Sequence, residues 1–130
     1  MRIEATKHTP LVEVDEENWN VLISGVSIPE NAYVHFKPLE DILNTLTPER
    51  VPKMKFTFRL EYMNTLSSKA FLDYLRTVKD NKRISLSVVW EYYLDDEEMK
   101  DHGETFSEIM DIPFEYQSVS PDDRRGNRKR

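Results

Sequence analysis

Asn64-Thr65-Leu66-Ser67-Ser68-Lys69 brings three side-chain hydroxyls, an amide and a cation into six residues. The segment follows an alternating run, Met54, Phe56, Phe58, Leu60 and Tyr62, and precedes Ala70, Phe71, Tyr74, Leu75 and Val78 at helical spacing. It therefore reads as a turn that leaves a strand and opens a helix. Two chemistries suit such a turn. As an N-cap, Thr65 accepts a backbone N–H near Ser67 or Ser68, worth about 1 kcal/mol. As a phosphoacceptor, it sets a phosphoryl group against unpaired N–H groups and the positive end of the helix dipole, with Lys69 one turn along as a cationic contact. By residue type alone the cap is the simpler reading. The two are compatible, because a capping hydroxyl at an exposed turn is open to a kinase.

The remaining reactive side chains suggest less. Asp95-Asp96-Glu97-Glu98 lacks the alternating ligands and glycine of an EF-hand loop, and consecutive residues diverge around a helix. The run reads as a helix start stabilised by the dipole, and with Glu104 and Glu108 as an acidic docking surface. His8, His35 and His102 lack metal-ligand spacing, and His102 is expected half-buried on the inner stripe of the third helix. A serine hydrolase built on Ser67 or Ser68 with a distant histidine and carboxylate is a rival, although no elbow glycines flank the serines. Gly25, Gly103 and Gly126 are too few and too scattered for a phosphate-cradling loop. No metal or cofactor is expected.

The elements that must position the turn follow from periodicity. Leu11–Val14 and Trp19–Gly25, separated by Asp15-Glu16-Glu17-Asn18, make an opening hairpin. Ser27-Ile28-Pro29-Glu30-Asn31 starts a helix whose apolar face is Tyr33, Phe36, Leu39, Ile42, Leu43 and Leu46, kinked or split at Pro38. The alternating strand, the Asn64 turn and the second helix come next, followed by a strand over 84–92. A third helix has Met99, His102, Phe106, Ile109 and Met110 inward, and a short strand spans 112–116. The order β-β-α-β-α-β-α-β predicts a single layered α/β domain over residues 1–119, with a mixed, mostly parallel sheet and about three helices. If the strands flanking the first helix run parallel, Pro29, Glu30 and Asn31 form a rim beside the Asn64 turn.

Bulk properties narrow the function classes. The 130 residues hold no cysteine, which excludes disulfides and thiol chemistry. Residues 121–130 carry five Arg or Lys against two Asp, or +3; the whole chain is −6, so the other 120 residues carry −9. A body so acidic repels phosphate backbones, so nucleic acid is not an expected partner of the folded part. Residues 120–130 read as a disordered basic tail. The start of the chain has no signal-peptide h-region, and no apolar run approaches the ~20 residues of a membrane helix. A cytoplasmic protein is expected.

Several separate motifs converge on one family. Thr9-Pro10, Pro29-Glu30-Asn31, Tyr62-Met63-Asn64-Thr65-Leu66-Ser67-Ser68-Lys69-Ala70, Trp90-Glu91-Tyr92 and Pro113-Phe114 occur in the order in which the SiaC-like regulatory phosphoproteins carry their signature pieces. The chain resembles that family over about residues 9–116. Ile28 stands where the family often has tyrosine, and Leu66 replaces the first serine after the threonine. The resemblance implies a fold similar to STAS domains, the anti-sigma-factor antagonists. It implies a non-enzymatic bacterial partner switch in which a serine/threonine kinase of histidine-kinase-like fold phosphorylates Thr65 and a PP2C-type phosphatase restores it. It also implies a diguanylate cyclase as the target of the unmodified protein, linking it to cyclic-di-GMP and biofilm formation. Pro29, Glu30, Asn31, Asn64, Leu66, Ser67, Ser68 and Lys69 would then form the partner-binding surface, with Thr65 at its centre. A constitutive scaffold without a switch is the remaining alternative.

Overall fold

The computed structural model describes residues 1–122; residues 123–130, most of the expected basic tail, lie outside the described residues. Six strands form one mixed sheet in sequential order: β1 (Arg2–Ile3), β2 (Leu11–Asp15), β3 (Asn20–Ser27), β4 (Lys53–Met63), β5 (Ser85–Tyr93) and β6 (Glu115–Val119). The first three are antiparallel neighbours, and β3 to β6 run parallel. Crossovers between neighbouring parallel strands share one hand, so α1 (Ala32–His35), α2 (Lys37–Leu43), α3 (Thr65–Asp80) and α4 (Glu97–Met110) cover one face of the sheet. The expected layered α/β domain with an opening hairpin is therefore present, with four helices in place of three.

The fourth helix arises at Pro38. Phe36 serves as both the C-cap of α1 and the N-cap of α2, and Pro38 enters α2 in its first turn, where a missing N–H costs nothing. Phe36 is fully buried against Phe71 and Tyr74, so the break is anchored in the core. The strand β1 was not anticipated; two residues are too short to show a period. The final strand begins three residues later than expected, at Glu115.

The core lies between the helices and the sheet. Phe56, Phe58 and Leu60 of β4 and Val88 and Trp90 of β5 alternate onto it. Trp90 is its largest member: fully buried, 5.2 Å from the Phe58 ring and 5.0 Å from Phe106. Its indole Nε1 donates to the carbonyl of Met99 at 2.9 Å, tying β5 to the first turn of α4. Gly103 lies directly over the indole, where a Cβ would approach Trp90 Cδ1 to 2.5 Å. The inner stripe of α4 is accordingly Met99, Gly103, Phe106 and Met110. His102 and Ile109, expected on that stripe, are exposed. Only a residue without a side chain leaves room for the tryptophan, so glycine takes the inward position and the neighbouring histidine turns out.

The candidate phosphoacceptor turn

The turn begins with a change of register. Between β3 and β4, Gly25 pairs with Leu60 and Val26 with Tyr62, which leaves Glu61 without a register partner. Gly25 absorbs the local distortion at φ +112°, a conformation that other residues adopt only with strain. The extra residue reverses the alternation at the end of β4. Met63 faces the core, while Tyr62, expected to be buried, is 57% exposed.

Immediately beyond, α3 starts. Its N-cap is Asn64, not Thr65: the Asn64 side-chain oxygen accepts the Ser67 N–H at 2.9 Å, and its backbone is extended. Asparagine caps at least as well as threonine, so the cap moves one residue upstream. Thr65 becomes the first helical residue and is exposed. The first N–H groups of a helix have no intrahelical partner, and the Asn64 side chain takes that of Ser67, so Thr65 stands at a capped but dipole-positive end.

The residues around Thr65 divide into supports and exposed groups. Ser67 is fully buried; its Oγ lies 2.7 Å from Ser27 Oγ and donates to the Ser27 carbonyl at 3.2 Å. Asn64 N–H donates to the Ser27 carbonyl at 2.9 Å, and Asn64 Nδ2 reaches the Pro29 carbonyl at 3.4 Å. These contacts stitch the loop after β3 to the loop after β4 and bring the Pro29-Glu30-Asn31 rim beside the turn, as parallel pairing of the two strands requires. Within that rim Pro29 is buried, and Asn31 caps α1 by accepting the Val34 N–H. Ser67 and Pro29 thus hold the surface from beneath instead of lining it. Glu30, Asn31, Leu66 and Lys69 are exposed, and Ser68 is half-buried. Exposed Val34 and Leu94 add apolar area on the loops and helix starts that follow strands β3 and β5.

Charge around Thr65 is acidic. A hollow of about 250 Å³ is lined by Thr65 and Tyr62, by Glu61 at the register break, and by Asp96, Glu98 and His102 at the start of α4. Asp96 caps α4, accepting the Met99 N–H at 3.0 Å, and Glu97 and Glu98 follow in the first turn, as the acidic run predicted. Lys69, the expected cationic contact, is not among the lining residues. His102 was missed as a residue of this site because it was assigned to the core. His102 lines the same hollow as Thr65, while the Ser67 hydroxyl is held by Ser27; a nucleophile at Ser67 has no support in this arrangement.

The comparisons with known proteins agree with this architecture. The profile of the SiaC family regulatory phosphoprotein matches residues 3–119. The chain belongs to the SiaC family. It is a regulatory phosphoprotein and not an enzyme. A curated relative, an uncharacterized protein of Pseudomonas aeruginosa (strain UCBPP-PA14), is 28% identical over 120 residues, covering 91% of this chain and 95% of the relative. Among solved structures, the chain is similar to one from the crystal structure of the diguanylate cyclase SiaD in complex with its activator SiaC from P. aeruginosa. The TM-score is 0.83 at 28% identity, over 92% of this chain and 99% of that one. Apo-SiaC from the same organism gives a TM-score of 0.73 at 25% identity, over 92% and 98% of the two chains. No helix among the described residues is long and apolar enough to cross a membrane.

Proposed function

We propose that this SiaC-family chain is a cytoplasmic partner switch controlled by reversible phosphorylation of Thr65. The observation that carries the reading is an exposed threonine at the first position of α3, on a turn whose Asn64 and Ser67 side chains are engaged in holding it in place. A kinase of histidine-kinase-like fold adds the phosphoryl group, and a PP2C-type phosphatase removes it. A STAS-like mode of action suits a hydroxyl at a helix start beyond an interior strand. The unmodified protein engages a diguanylate cyclase through the surface formed by Glu30, Asn31, Leu66, Ser68 and Lys69, with Tyr62 as an aromatic anchor. The likeness to a chain of the complex between the diguanylate cyclase SiaD and its activator SiaC supports that target class.

Phosphorylation adds about −2 of charge at neutral pH without needing to move the backbone. At a surface already acidic, that charge weakens a partner evolved to meet the unmodified turn. Incubation with the cognate kinase and Mg-ATP should add one phosphate, mapped by mass spectrometry to Thr65. Thr65→Ala should accept none and keep its fold, because an exposed substitution of this kind changes stability by roughly 0.5 kcal/mol or less. Calorimetry should show cyclase affinity at least tenfold weaker for the phosphorylated protein. Phosphate on Ser68 in place of Thr65, or equal cyclase affinity in both states, would refute the assignment.

A further inference from the structure

The hollow beside Thr65 has a charge balance that a simple phosphate cradle would not have. Its carboxylates come from two places, Glu61 from β4, and Asp96 and Glu98 from the N-cap and first turn of α4. Of its lining residues, His102 alone can carry a positive charge. Lys69, on α3 with Thr65, is exposed outside the lining, and Lys100 lies over the Tyr92 ring, 5.8 Å from its centroid. Glu98 and His102 are four residues apart on α4 and so share one face. The volume, about 250 Å³, corresponds to several waters at roughly 30 Å³ each, enough to admit a phosphoryl group in place of solvent.

We propose that His102 is the chain's own counter-ion for a phosphoryl group on Thr65, receiving it inside the hollow while Glu61, Asp96 and Glu98 hold the pairing weak. The proposal rests on the Thr65 reading above and assigns His102 a role in regulating that site. An imidazolium offers a phosphoryl group one positive charge and two N–H donors, enough to pair with it and too little to neutralise its charge of about −2. The carboxylates prevent the modified turn from becoming a tight internal ion pair, so the phosphoryl group stays accessible to a phosphatase.

The test uses the full chain with phosphothreonine installed at position 65 by genetic encoding, so no kinase is involved. The second ionisation of the phosphate is followed by ³¹P NMR as a function of pH. An opposite charge within a few ångströms favours the dianion, so His102→Gln should raise the midpoint by about half a unit to one unit. Glu98→Gln should lower it, since a like charge has been removed. A His102→Gln midpoint equal to that of the parent phosphoprotein overturns the proposal. If Glu98→Gln shifts the midpoint and His102→Gln does not, the phosphate enters the hollow without pairing with the histidine, which also overturns it. Failure of the cognate kinase to modify Thr65 would instead strike the functional reading alone, because the ³¹P experiment does not depend on a kinase. Both residues are exposed on α4, so the variants keep the fold.

Discussion

Replacing Gly103 with alanine tests the seating of α4, and the sign of the effect is the informative part. In a solvent-facing helix, glycine to alanine stabilises by about 1 kcal/mol, because alanine loses less backbone entropy on folding. Here the added Cβ would sit 2.5 Å from Trp90 Cδ1 and 2.6 Å from Cγ and Nε1. Ordinary carbon contacts lie at about 3.5–4.0 Å, so the indole or the helix must give by roughly 1 Å. The indole cannot: it is fully buried, packed on Phe58 and Phe106, and hydrogen-bonded to Met99. The helix has to lift. Overpacking of this kind costs about 1–3 kcal/mol, and a strained or lost Trp90–Met99 hydrogen bond adds about 1 kcal/mol. Against these stands the helix-propensity gain of about 1 kcal/mol. The net expectation for Gly103→Ala is a destabilisation of about 1–3 kcal/mol, or a Tm lower by roughly 3–12 °C in a domain of this size. Urea unfolding followed by tryptophan fluorescence and circular dichroism measures it. A variant more stable than the parent would show that α4 does not sit on Trp90 as described, and the hollow formed by Asp96, Glu98 and His102 would lose its geometric basis.

The buried hydroxyl pair should be strongly non-additive. Ser67→Ala or Ser27→Ala alone strands a buried partner and costs about 1–3 kcal/mol, while the double variant should cost less than the sum, as a double-mutant cycle by chemical denaturation would show. Asn64→Ala removes the α3 cap and should cost about 1 kcal/mol; equal stability would mean that Thr65 takes over the capping role. At alkaline pH the Tyr33 phenol matters: burial first, then its hydrogen bond to Asp73, push its pKa up to about 12. A folded value above the ordinary 10.0 means its contribution is complete below about pH 10 and lost as pH rises towards 12. Tyr33→Phe should flatten that limb of a stability–pH profile, and an unchanged limb would count against the Tyr33–Asp73 contact.

The turn, the alternation of strands and helices, the kink at Pro38 and the acidic start of α4 were all legible because each is a local signal. What escaped was set by contacts between elements. The face of Tyr62 could not be read from a period of two, because the register break opposite Gly25 depends on pairing with another strand. The phase of α4 depended on Trp90: the spacing Met99, Gly103, Phe106, Met110 is a regular four–three–four stripe, but a glycine carries no apolar signal to complete it. Counting position rather than hydrophobicity would have found that stripe and freed His102 to join the site. Asn64 and Thr65 are both good caps, and the choice between them rests on the Ser67 N–H and on the Ser27 and Pro29 carbonyls, contributed by residues up to 37 positions away in sequence. Ser67 and Pro29 match the family motif in sequence, yet their role is inward, which a motif cannot distinguish from a role at the surface.

The stitching of Asn64 and Ser67 onto Ser27 and Pro29 decides what kind of signal the turn can send. A hydroxyl mounted on a hinge would work as a lever, converting modification into movement, and its response time would include a conformational relaxation. Here the mount is braced from two loops and from the core beneath it. A phosphoryl group on such a mount is a flag rather than a lever: it changes what a passing partner meets and leaves the scaffold unmoved. Under the proposed switch, its speed would be set by the enzymes that add and remove the group and by partner dissociation, with no conformational step in the turn itself.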